Sequence, residues 1–418
     1  MAETFTIARL GAGGDGIADT PDGPVHIAYA LPGETVQAER VDTRAEVVGL
    51  DAWSPARVAP FCPYFGRCGG CVAQHMAPDL YEPWKRAKVA DALARARVEA
   101  PVAPLRNAHG AGRRRITLHA RFEGGRVEVG FMAARSHHLV PIERCPVAVE
   151  ALADAPRIAA TLAGELASLG KPLDVSATAT EGGLDIDVRG AGPGAQTRRQ
   201  NLIAIALNEG LARLSVHGDV LIEARPPAIR IGETMVLPPP GGFLQATGAG
   251  EEALAALVAE AVGPKARRVA DLFAGIGPFA LRLAASAEVH AVEADAALLA
   301  ALDRASREAT GLRRITTERR DLFRRPLLPP ELDCYNAIVL DPPRAGAEAQ
   351  IRQVIPSSLE HVVMVSCDPG TFGRDAAALA GAGFTAEQVV PVDQFRWSAH
   401  VEIVGSFRRP PARRKRRR

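Results

Sequence analysis

Residues 267–295, "RRVADLFAGIGPFALRLAASAEVHAVEAD", decide the fold. An apolar run ends at Asp271 and Leu272, a turn carries Gly275 and Gly277, a helical stretch follows, and a second apolar run ends at Glu293. Glycines between a strand and a helix let the backbone pass close to a ligand, and a carboxylate closing the next strand can grip a ribose diol. The alternation extends both ways, with a helix over 251–263 upstream and, downstream, the helix "AALLAALDRASREAT" and the strands "RITTERRDL", "YNAIVLDPPR" and "HVVMVSCDP". Strands alternating with amphipathic helices imply a parallel, doubly wound sheet, which binds its ligands beyond the C-terminal strand ends.

"DLFAG", "VEAD", "RRDLF", "LDPPR" and "SCDP" all fall at those ends. A G-x-G-x-x-A turn by itself suits NAD as well as S-adenosylmethionine, and it also occurs as a tight turn with no ligand. In "LDPPR" two prolines stiffen the loop that holds Asp341 and Arg344 at a strand tip, a shape suited to a planar base. Cys367 ends the next strand, where a thiolate is a nucleophile once its pKa is lowered. Glu402, in the strand "HVEIV" (400–404), can reach the same crevice, and thiol plus carboxylate suits covalent addition followed by proton removal. The bland reading of that pair is a buried thiol and a surface acid.

Upstream, residues 3–50 show short strand-like runs ("TFTIARL", "VHIAYAL", "ETVQAERV", "RAEVVGL") between Gly, Asp and Pro turns, the rhythm of a small β-barrel. Residues 61–75, "FCPYFGRCGGCVAQH", bring Cys62, Cys68 and Cys71 together, with Cys145 far downstream. Four thiolates suit an iron–sulfur cluster or structural zinc equally, and the spacing is too wide for the radical S-adenosylmethionine triad. The helical stretch "DLYEPWKRAKVADALARARV" follows, then mixed strands and helices over 101–240, with "VLPPPGGF" as a linker.

At 418 residues and 47% hydrophobic content the chain has material for two or three cores. Six cysteines make no disulfide framework. The N-terminus lacks a basic start and apolar core, and no 18-residue uncharged apolar run occurs, so a cytoplasmic protein with no membrane span is expected. The formal charge of +2 conceals a division: the last eleven residues, "RRPPARRKRRR", hold eight Arg and Lys, and subtracting those eight leaves −6 on the other 407. Attraction to a polyanion must come from that tail and from local patches.

Together these motifs resemble the RNA (uracil-C5)-methyltransferases, most closely the bacterial branch acting on 23S ribosomal RNA. Residues 5–50 look like the TRAM domain, an OB-like RNA-binding barrel, and the four cysteines match that branch's [4Fe-4S] ligand spacing. "GGFLQAT", "DLFAGIGPFALRLA", "VEAD", "LDPPRAG", "VSCDPGTFGRD" and "HVEIV" follow the family's motifs in order, covering residues 5 to about 407. The resemblance implies a multidomain α/β protein: a TRAM barrel over 1–54, a central α+β domain with the iron–sulfur cluster on Cys62, Cys68, Cys71 and Cys145 over 55–240, a Rossmann-like class I methyltransferase domain over 241–407, and a basic tail over 408–418. It implies that Gln245, Phe273, Glu293, Asp321 and Asp341 line an S-adenosylmethionine site, with Cys367 as nucleophile and Glu402 as base, acting on RNA as a monomer. A tRNA uracil-C5 methyltransferase and a DNA or RNA amino-methyltransferase are the competing enzymes, and a non-catalytic cluster-bearing RNA binder is the competing class. Pro278, Thr247 and Asp368 stand where the family more often has Asn.

Overall fold

The run from Arg268 to Glu293 forms a strand (Arg268–Leu272), a glycine turn, a short helix (Ala280–Leu283) and a second strand (Glu288–Glu293) lying parallel to the first, Arg268 opposite Glu288. The computed structural model describes residues 2–167 and 172–411, so the basic tail lies outside the described residues from 412 onward. The helix expected over "PFALRLAAS" is only four residues long. Pro278 has no amide hydrogen to donate, and Ser286 closes the last turn by bonding Leu283 rather than residue 282.

These strands belong to an eight-stranded sheet whose spatial order is Ile315–Arg319, Glu288–Glu293, Arg268–Leu272, Ala337–Leu340, His361–Ser366, Glu402–Arg408, Thr385–Asp393 and Arg106–Asn107. The first five run parallel, and Glu402–Arg408 is inserted antiparallel to both of its neighbours. That reversal positions the site: the first residue of the inserted strand lies on the same edge as the last residues of the parallel ones. Ser366 accordingly pairs with Ile403, and Val392 with Glu402. The parallel strands are almost wholly apolar because both faces are covered, one by helices including Gly248–Val262, the other by helices including Pro369–Gly381.

A seven-stranded sheet runs from Leu139–Pro141 through Arg115–Glu123 and Leu173–Thr180 to Asp219–Glu223, with the amphipathic helix Ala155–Leu166 packed in its core. At the N-terminus a six-stranded sheet encloses Phe5, Ile7, Val25, Ile27 and Val36. The single run expected in "TFTIARL" is two strands there, Ala2–Thr6 and Arg9–Leu10, which pair with different partners. Among the described residues no helix is long and apolar enough to cross a membrane.

Helix Pro78–Arg95 joins the N-terminal sheet to the eight-stranded one. Trp84 donates to the carbonyl of Gly11 at 2.9 Å, and the Lys88 ammonium reaches the carbonyl of Ala12. On the other side Tyr81 donates to Asp393 Oδ2 at 2.7 Å, and Lys85, fully buried, meets Asp393 Oδ1 at 3.0 Å. The carbonyls of Phe395 and His400 take the remaining Lys85 protons. Burial lowers the Lys85 pKa and Asp393 opposes it, while three oxygen acceptors match the three protons of the ammonium. Removing one partner of such a pair strands a buried charge. Lys85→Met is expected to destabilise the protein by about 3–5 kcal/mol, read from denaturant midpoints, whereas Lys85→Met with Asp393→Leu should recover part of the loss.

Candidate functional site

A cavity of about 540 Å³ opens at the C-terminal edge of the eight-stranded sheet. Gln245, Phe273, Glu293, Asp321, Asp341, Cys367 and Glu402, every residue nominated for this region, line it, together with Phe243, Phe323, Arg344, Phe395 and His400.

One half of the cavity is built by the glycine turn. Phe273 adopts φ 66°, a strained value for a side chain with a Cβ, and its amide and that of Ala274 both donate to the carbonyl of Val292. Gly275, at φ 55°, presents its open face and donates to Glu293 Oε2 at 3.0 Å, while the amides of Ala294 and Asp295 hold Oε1 at 2.7 and 2.8 Å. Gly277 is needed for a different reason, since a Cβ there would lie 2.3 Å from Leu302. The rings of Phe273 and Phe323 stand 5.4 Å apart, and Asp321 accepts from the Phe323 amide. Pro278 supplies a carbonyl to Arg282, and Thr247 caps helix Gly248–Val262 by accepting from Gly250 at 2.8 Å. Asp368 likewise caps Pro369–Gly381, so two of the three departures have local structural work at helix starts.

The other half is acidic and buried. Glu402 is 4% exposed, and burial, then the nearby Asp341, push its carboxyl up to about 8; a hydrogen bond from Gln394 and the charge of Arg344 pull the other way. Burial holds Asp341 up at about 7 against a hydrogen bond from Gln245, whose Nε2 lies 3.1 Å from Oδ2. The Cys367 thiol is raised to about 11 by burial, then by Glu402 and Asp341, with Arg344 opposing. Three acids facing one another resist ionising together, so they titrate as a group. The Arg344 guanidinium donates to Nε2 of His400 at 3.2 Å, which fixes that nitrogen as the unprotonated one.

Two buried residues escaped the sequence reading. Gln394 is fully buried and links Gln245 to Glu402; the only local hint was a polar residue in "VDQF" at the end of an apolar strand. Asp271 is also fully buried, at the floor of the turn; among the described residues its oxygens have no side-chain partner, and the Ala280 amide is the one group that pulls its pKa down.

The four cysteines Cys62, Cys68, Cys71 and Cys145 line a second cavity of about 490 Å³, which shares Phe243, Leu244 and Phe395 with the first. Burial raises the thiols of Cys68, Cys71 (to about 12) and Cys145. Among the described residues Arg113 Nε, which lines this cavity, is buried without a hydrogen-bond partner, and the Gln74 amide lies beside the Cys71 thiol. Among the described residues no group of three or more His, Cys, Asp or Glu side chains is drawn together as a single metal ion requires.

A sequence profile described as tRNA (Uracil-5-)-methyltransferase matches residues 239–408. A 23S rRNA (uracil(1939)-C(5))-methyltransferase of Halomonas elongata is 36% identical over 98% of this chain and 90% of its own length. The chain belongs to the RNA uracil-C5 methyltransferase family. It is an RNA methyltransferase. A Brucella suis protein named only as an uncharacterized RNA methyltransferase is 47% identical over 96% of both chains. The fold matches that of Pyrococcus abyssi tRNA (uracil-54, C5)-methyltransferase, solved with S-adenosyl-L-homocysteine, at a TM-score of 0.72 and 20% identity over 97% of this chain and all of that one.

Burial sets a sign for stability. Asp271 is raised to about 8 by burial and then by Asp341 and Glu293, above the usual unfolded value of about 3.9. Its contribution is therefore fully present below the unfolded pKa and lost as pH rises through the folded one. Asp271→Asn, nearly isosteric and uncharged, should flatten the decline of melting temperature between about pH 4 and about pH 8. An unchanged decline would mean that the carboxyl does not titrate in the folded protein.

Proposed function

We propose that this protein methylates C5 of a uridine in 23S ribosomal RNA, using S-adenosylmethionine and a covalent bond between Cys367 and C6. The observation that carries this reading is the meeting of Cys367 and Glu402 in one cavity, delivered by strands that run in opposite directions. The 36% identity to the 23S rRNA enzyme over nearly the whole chain supports the choice of RNA.

The methyl donor would bring an electrophilic methyl group on a sulfonium and leave as a neutral thioether. Glu293, already oriented by three backbone amides, would accept from its ribose hydroxyls. Phe273 and Phe323 would flank its adenine, with Asp321 and Asp341 as acceptors and Gln245 alongside. The RNA base must leave its stack to reach so enclosed a cavity. Uracil C5 is a poor nucleophile until the Cys367 thiolate adds at C6, moving the C5–C6 π pair toward the C4 carbonyl. C5 then takes the methyl group. Glu402 removes the C5 proton, the electron pair restores the double bond, and the C6–S bond breaks to free the thiolate. Arg344, whose charge favours the thiolate, lines the same cavity and would stand at the base's edge. Outside the cavity, the N-terminal sheet and the adjoining exposed Trp53 and Phe61 would bind flanking nucleotides by stacking and phosphate contact, aided by the basic tail.

Cys62, Cys68, Cys71 and Cys145, which share the lining of the second cavity, would hold a [4Fe-4S] cluster. Each thiolate of such a cluster binds its own iron, which needs a wider donor set than zinc, whose four ligands share one ion. The unpartnered Arg113 donor suits an electron-rich group, and the Gln74 amide lies beside the Cys71 sulfur. The cluster would tie residues 62–71 to Cys145. Protein purified without oxygen should be brown and carry about four irons per chain, and Cys145→Ser should lose iron and stability together. Stoichiometric zinc without iron would refute the cluster.

The two catalytic residues should fail at different steps. Cys367→Ala should neither form an adduct nor transfer methyl, whereas Glu402→Gln should add and methylate but accumulate Cys367-linked methylated RNA, visible as a slow radiolabelled band on denaturing gels. Because Glu402 must be ionised to act, turnover of the unmodified enzyme should rise with pH through about 8. Substantial turnover by Cys367→Ala would return the assignment to an amino-methyltransferase. Mapping 5-methyluridine in 23S rRNA and tRNA from a deletion strain decides between the two RNAs.

A further inference from the structure

We infer that Gln394 is a positioning residue for removal of the C5 proton: its buried side-chain amide donates to both the Glu402 carboxylate and the Gln245 amide oxygen, fixing the orientation of the carboxylate. The hydrogen bonds leave no freedom in the assignment. The backbone amide of Ala246 can only donate, and it lies 3.0 Å from Gln394 Oε1. The Gln394 amino group must therefore face Gln245 Oε1 at 2.8 Å and Glu402 Oε1 at 3.1 Å. With its oxygen so occupied, Gln245 turns its own amino group toward Asp341 Oδ2. The result is a row, Glu402–Gln394–Gln245–Asp341, in which each carboxylate receives a proton donor and each amide oxygen is satisfied.

Packing keeps the row in place. Gln394 is 0% exposed, and a Cβ on Gly250 would come within 2.6 Å of its Cβ and Oε1, so the helix beginning at Gly248 leaves it no alternative position. On one side Asp393 is locked by Lys85 and Tyr81, and on the other the Arg113 guanidinium lies over the Phe395 ring. The carboxylate of Glu402 faces Asp341 and Arg344 from the connection after Ala337–Leu340 and Cys367 from the one after His361–Ser366, with Lys85 and Asp393 anchoring its own connection. Among these groups Gln394 is the direct hydrogen-bond donor to it, which favours its ionised form.

This inference rests on Glu402 being the base. The test uses full-length enzyme, transcribed RNA and Gln394→Met, which keeps the volume and loses the donor. Without that donor the Glu402 pKa rises, so the rising limb of the pH–turnover profile should move up by about one unit, a roughly tenfold loss near neutrality that alkaline pH restores. Covalent RNA adduct should accumulate on ordinary uridine. RNA carrying 5-fluorouridine should still be trapped at the normal rate, because addition and methyl transfer need no proton removed from C5. Gly250→Ala, which displaces Gln394 without altering its chemistry, should reproduce the profile shift. An unmoved limb in both variants, or trapping lost in step with turnover, would overturn the positioning role. If Glu402→Gln itself accumulated no methylated adduct, the base assignment would fail instead, whatever Gln394→Met does.

Discussion

The ion pair between Lys85 and Asp393 is the contact on which the rest of this site hangs. Taking both charges out of water costs several kcal/mol per ion, and the cost is met only because Tyr81 and two backbone carbonyls complete the hydrogen bonding. What it gains is a fixed end to the strand Thr385–Asp393. From that point the chain must cover eight residues to reach Glu402, passing through Trp397 at φ 69°. The amides of Val72 and Ala73 both donate to the Trp397 carbonyl, and Phe61 meets its ring, so the segment beside the cysteines braces the same crossing. The cysteine cavity and the crevice are thus connected through shared walls and a shared strap.

The crevice is a place where charge is expensive. Asp271, Asp341, Glu402 and Cys367 are all held toward their neutral forms, mainly by burial. In a pocket that disfavours charge, each donor or cation present counts for more than it would in water. Arg344 and the two glutamine amides are the countervailing groups, and their small number makes each one consequential.

Much of this was legible in the sequence because it depends on local pattern. Alternating apolar runs and helices gave the parallel sheet, and motifs at the ends of those runs converge because parallel strands share a polarity. The inserted strand was read as starting at His400, whereas it starts at Glu402 and extends to Arg408. The helix after Gly277 was read too long because its apolar residues suggest helical periodicity while Pro278 and a tight final turn cut it short. Lys85, Gln394 and Asp271 were invisible for a different reason. Lys85 meets Asp393, 308 residues away, and Gln394 meets Gln245, 149 residues away; although Glu402 lies only eight residues from Gln394, no local pattern records that their side chains meet.

The last strand has a consequence for synthesis. Glu402–Arg408 is among the final described segments of the chain, yet it sits between His361–Ser366 and Thr385–Asp393, which must admit it. A chain made only as far as Asp393 has Cys367 and most of the crevice but no Glu402 opposite. Its sheet is split and its two inner edges are unpaired. The crevice is therefore complete only once this strand has closed the sheet.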